Sequence, residues 1–125
     1  MNRALLSLLA TASLCSAADG LLLDLIVPPR DGDRFLHAGY SCWIADASKP
    51  VKAVIIHQHG CTNASPDKHP PITSDWHWRA LARKHNAALL VPMYHVAKGC
   101  DEWNDPDSGS ERALFTALED FARSL

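Results

Sequence analysis

Apolar positions along this chain follow two rhythms, and the change from one to the other marks its elements. Leu21 to Val27 is an apolar run of strand length, closed by the turn-rich Pro28-Pro29-Arg30-Asp31-Gly32-Asp33. Arg34 to Ala45 carries Phe35, Tyr40, Cys42, Trp43 and Ile44 and predicts a second strand, bent at Gly39. After the turn Asp46-Ala47-Ser48-Lys49-Pro50, the β-branched run Val51 to Ile56 predicts a third strand, buried on both faces of a sheet. The period then lengthens. Trp78, Leu81, Ala82 and His85 fall on one helical face, with Thr73 or Ser74 as cap, Asp75 at the positive end and Asn86 at the close. Ala87 to Val91 predicts another strand, closed by Pro92. Ser108 and Glu111 have the spacing of a capping box, ahead of a helical stripe of Leu114, Ala117, Leu118, Phe121, Ala122 and Leu125.

The predicted order is strand, strand, strand, helix, strand, helix. That order implies an α/β fold, with an antiparallel start and a parallel βαβα continuation. The last helix of such a unit normally crosses over to deliver a further strand, so the sheet is expected to be incomplete.

The first residues read differently. Arg3, the apolar stretch Ala4 to Leu14 and the small residues Ser16-Ala17-Ala18 form the n-region, h-region and cleavage site of a secretory signal over residues 1–18. Residues 19–125 then make one partial domain, secreted or periplasmic. Cleavage would remove Cys15 and leave Cys42, Cys61 and Cys100, enough for one disulfide and one spare thiol in an oxidising compartment. Cys42 reads as a buried strand residue. For Cys61 and Cys100, in two loops at one end of the sheet, a disulfide and two free thiols both stay open.

The chain has 125 residues and a formal net charge of -2. That length fits one domain at most. The near-balance of charge argues against a nucleic-acid partner and against a polybasic membrane-surface protein; no membrane partner is expected after signal cleavage.

Chemistry-bearing residues gather after the third strand, in the long polar loop of about 57–73: His57-Gln58-His59-Gly60-Cys61-Thr62. Ligands collect at the carboxyl ends of strands in open α/β sheets, and a Gly there lets backbone N–H groups face an oxyanion. With Val54-Ile55-Ile56 ahead of it, and with Trp78 to Pro92 as a helix and strand ending in Pro92 and Tyr94, this segment resembles the N-terminal part of the α/β-hydrolase superfamily. It looks most like secreted esterases of the polyhydroxyalkanoate-depolymerase and feruloyl-esterase type. Cys100 to Leu125 resembles the loop and helix that lead to the nucleophile strand in that superfamily.

The resemblance implies a serine hydrolase acting on small-molecule or polymeric esters, with no cofactor and no metal. It implies the backbone N–H of Cys61 as an oxyanion donor, Thr62 as a neighbouring donor, and His59 and Gly60 as residues that shape the loop. The nucleophile motif G-x-S-x-G is absent: Gly39-Tyr40-Ser41-Cys42-Trp43 has Trp where Gly is needed and lies upstream of the loop. The acid and base of the family follow its nucleophile, so this chain alone is expected to be inactive.

The alternative is a small secreted zinc-binding or ligand-binding domain using the His57, His59 and Cys61 cluster, whose side chains are good zinc ligands. Cys61 as a nucleophile with His57 or His59 as base ranks lower. Trp78 reads as core, while Trp76 and Trp103 could line a binding surface. Asp101, Glu102, Asp105 and Asp107 fit no calcium-loop spacing and read as a solvated loop. Glu119 and Asp120, near Arg123, read as a solvated helix face.

Overall fold

The computed structural model describes residues 20–58, 72–97 and 104–125, together with the backbone of Ala12–Ser13. It is a mixed sheet of four main strands with two helices. The strands are β2 (Leu21–Val27), β3 (His37–Ile44), β4 (Ala53–Ile56) and β5 (Ala87–His95), and the helices are α1 (Trp76–His85) and α2 (Ser110–Ser124). The two-residue β1 (Ala12–Ser13) pairs antiparallel with Leu22 and Leu23. The spatial order is β1-β2-β3-β5-β4. β2 and β5 both run antiparallel to β3, while β4 pairs parallel with β5.

The register sorts side chains by strand period. Leu23, Val27, Ala38, Tyr40, Cys42, Ile44, Ala88, Leu90 and Tyr94 face α2 and pack on Ala113, Ala117 and Phe121. On the opposite face, Trp43, Leu89 and Val91 pack with Ala82 of α1. One helix thus covers each face, as a β4-α1-β5 crossover followed by α2 requires.

Several expectations shift for identifiable reasons. β3 starts at His37 rather than Arg34, and its ladder to β5 runs unbroken through the Gly39–Met93 pair, with no interruption at Gly39. β4 starts at Ala53 and is not buried on both faces. Among the described residues it is the last strand of the sheet, α2 lies over β2 and β3 instead, and Val54 and Ile56 are 43% and 44% exposed.

β5 continues through Pro92 to His95. Residues 90, 92 and 94 aim their backbone groups towards β4, as the bond from His57 N–H to Leu90 O (2.9 Å) shows. Pro92 has no N–H to give to the next acceptor on that side, so the parallel ladder stops while the antiparallel one proceeds.

The caps also move. Asp75, not Thr73 or Ser74, caps α1, accepting from the N–H groups of His77 (2.9 Å) and Trp78 (3.3 Å). Asn86 closes α1 in the left-handed conformation, as expected. Of the predicted face, Ala82 is buried and Trp78 half-buried, but Leu81 and His85 are exposed; Arg79 and Arg83 lie over the Trp43 ring instead, at 4.9 and 5.5 Å.

The capping box at Ser108 does not form. α2 begins at Ser110 behind Gly109, and Ser108 belongs to a preceding single turn that Asp105 caps. Ala113, outside the predicted stripe, is fully buried, whereas Leu125 is 55% exposed.

Candidate functional site

The carboxyl end of β4 is where the chemistry predicted from sequence begins. His59, Gly60, Cys61 and Thr62 lie outside the described residues, as do Cys100, Trp103 and most of the 1–18 segment. His57 and Gln58 lead into that loop and are described. Where Pro92 ends the parallel ladder, the chain leaves the sheet with His57 held by its backbone bond to Leu90.

The His57 side chain faces α1, and its ring meets Trp78 edge-on, with centroids 4.7 Å apart and an interplanar angle of 74°. Its Nδ1 is buried and makes no hydrogen bond among the described residues, and the same holds for Gln58 Nε2. A buried polar atom left without a partner costs about 1–3 kcal/mol, so these two adjacent groups are open to a partner from outside the described residues. Neutral imidazole offers one acceptor and the Gln amide two donors, which suits a polar ligand that presents both roles.

Ser41 is not a nucleophile. It sits mid-strand, and its hydroxyl donates to Asp24 of β2. In the same lateral row His57 lies beyond β5, two strand spacings or about 9.6 Å away, out of reach for proton transfer.

On the other face, long-range polar contacts fix the start of α2. Tyr40 and Tyr94 hydroxyls lie 2.9 Å apart, and Tyr94 donates to Ser110 O at 3.2 Å. Burial pushes both phenols above their ordinary range; for Tyr40 the hydrogen bond to Tyr94 adds to this, while for Tyr94 the same bond opposes it. Arg112 donates to Asp33, while its buried Nε makes no hydrogen bond among the described residues. Arg34 pairs with Asp105 at 2.5 Å. No sequence signal announces this network: its side-chain pairs, Tyr40 with Tyr94, Arg34 with Asp105 and Arg112 with Asp33, lie 54 to 79 residues apart.

The remaining candidates resolve simply. Cys42 is buried, 3% exposed, and burial pushes its thiol up to about 12, so it is an inert core residue. Trp76 is 70% exposed and lies against His77. Asp120 bonds Arg123 on an exposed helix face, as expected. Of the acidic loop, Asp105 and Asp107 are described; the N–H of Asp107 and the Arg34 guanidinium hold the Asp105 carboxyl low.

Among the described residues no three His, Cys, Asp or Glu side chains gather as a metal site, and no helix is long and apolar enough to cross a membrane. Comparison with protein-family models, with curated proteins and with solved structures finds no match for this chain. A functional reading therefore rests on residues and geometry.

Proposed function

We propose that this chain is the N-terminal part of a secreted or periplasmic serine ester hydrolase of the α/β-hydrolase type. It supplies the oxyanion loop: the backbone N–H of Cys61, with Thr62 beside it, receives the developing charge, and Gly60 and His59 shape the turn. The substrate class is a small-molecule or polymeric ester.

The observation that carries this reading is the outer edge of β4, which pairs with no strand among the described residues. The β4-α1-β5 unit steps across the sheet in one direction with its helix on one face. α2 lies on the opposite face. Crossovers are right-handed almost without exception, so a strand following α2 would step the other way and pair with β4. The exposed Val54 and Ile56 are the residues its covering elements would bury. The strand order would then reverse at β4, the place where open α/β sheets bind ligands, beside His57 Nδ1 and Gln58 Nε2, which make no hydrogen bond among the described residues. A nucleophile at the end of that strand would face the Cys61 loop. This chain contains no G-x-S-x-G of its own, so alone it turns over no ester.

The test is to sequence the locus and transcript past the codon for Leu125. The expected result is a frame, direct or resumed after one shift, that runs into a strand, a G-x-S-x-G turn and later Asp and His codons. A firm stop there, with the short product soluble and monomeric, would overturn the reading.

A further inference from the structure

The sheet face that carries α1 extends beyond the helix, and its far rows hold an unusual donor set. Leu22, Trp43, Leu89 and Ile55 form one lateral row, and they cluster with Ala82 and Trp78 of α1. Two rows further on, Ile26, Gly39 and Met93 are side by side, and past them His37 stands directly opposite His95. Ile26 is 60% exposed, and Met93, His37 and His95 are half-buried. The two imidazoles stack, with centroids 4.1 Å apart and planes 23° from parallel. Met93 precedes His95 by two residues on one strand, so its thioether rises from the same face. Gly39, opposite Met93, adds no side chain, and a Cβ there would meet nothing nearer than Met93 O at 3.8 Å.

We propose that His37, His95 and Met93 form a binding site for copper(I). Directly opposed residues of an antiparallel pair hold their Cβ atoms about 4.5–5.5 Å apart, a span that lets two imidazole nitrogens turn from stacking to converge on one ion. A thioether beside them makes the set soft, which selects copper(I) over hard cations. These two rows contain no carboxylate, so nothing in them favours calcium or magnesium. This site goes beyond the hydrolase reading and uses none of its residues.

The test is a competition titration of copper(I) between the reduced full chain and a chromogenic copper(I) chelator, without oxygen. Wild type is expected to take one tightly held equivalent. Met93→Leu and His37→Gln should each weaken that equivalent at least about tenfold, while the loop variant His59→Gln/Cys61→Ser retains it. Far-UV circular dichroism of each variant, matched to wild type, shows that the fold is kept. The proposal is overturned if Met93→Leu and His37→Gln bind as wild type does, or if the tight equivalent disappears with the loop variant alone.

Discussion

Replacing Tyr94 by Phe should cost far more than replacing Tyr40 by Phe, although each change deletes one oxygen from the same buried pair. The asymmetry follows from where the protons go. Tyr94 donates to Ser110 O, so its oxygen is the acceptor for the Tyr40 hydroxyl 2.9 Å away. Tyr40→Phe removes a donor from a hydroxyl that keeps its own bond to Ser110, a loss of about 1 kcal/mol. Tyr94→Phe removes the Ser110 bond, about 1 kcal/mol, and strands the Tyr40 O–H, about 1–3 kcal/mol more. Tyr40 is 2% exposed, so water does not replace the lost acceptor without rearrangement.

The double variant leaves no stranded hydroxyl and should lie below the sum of the single changes, with a coupling of about 1–3 kcal/mol. Urea unfolding of the chain at neutral pH, followed by circular dichroism with m held common, reads these values from the midpoints. Equal losses in the two single variants, or additive losses in the double, would refute the donor order.

Three further outcomes test other parts of the fold. Cys42 should resist a thiol reagent in the native chain and react on unfolding, as peptide mapping would show. Its folded value of about 12 lies above its ordinary 9.0, so the unfolded chain releases the proton first. The stability tied to it is present below pH 9 and is lost as pH rises from there towards 12, a decline the raised Tyr40 and Tyr94 phenols reinforce; urea midpoints between pH 8 and 11 that fail to fall would contradict this. Gly109→Ala should destabilise more than Gly32→Ala, although both positions have positive φ, 79° and 94°. Both substitutions strain the backbone by about 1 kcal/mol, but a Cβ at Gly109 also collides with the Asp33 carboxylate, whereas one at Gly32 meets nothing within 4 Å. Equal thermal shifts for the two variants would show that the Asp33 contact gives way freely.

Much of the fold was legible because local rules set it. The Leu21–Val27 strand is found as read, and Asn86 terminates α1 because Asn adopts the left-handed conformation at little cost. The site was legible only as a position, the end of the third strand, through the polar run that starts at His57. The burial of His57 Nδ1, with no hydrogen bond among the described residues, was not, since it depends on Trp78 of α1 meeting the imidazole ring. Pro92 shows the limit of punctuation: proline reads as a stop, yet it ends only the pairing on the side where its N–H is missing.

By itself the sequence determined the alternation of strands and helices, the loop where polar chemistry gathers, and the absence of a nucleophile motif, because each depends on neighbours a few positions apart. Only the tertiary structure decided that β4 lies outermost beyond β5, that the two helices take opposite faces, and that Tyr40 meets Tyr94 and His37 meets His95 across a strand pair. Those are matters of pairing partner and register, set by which apolar faces can be buried together, and no local pattern encodes the choice.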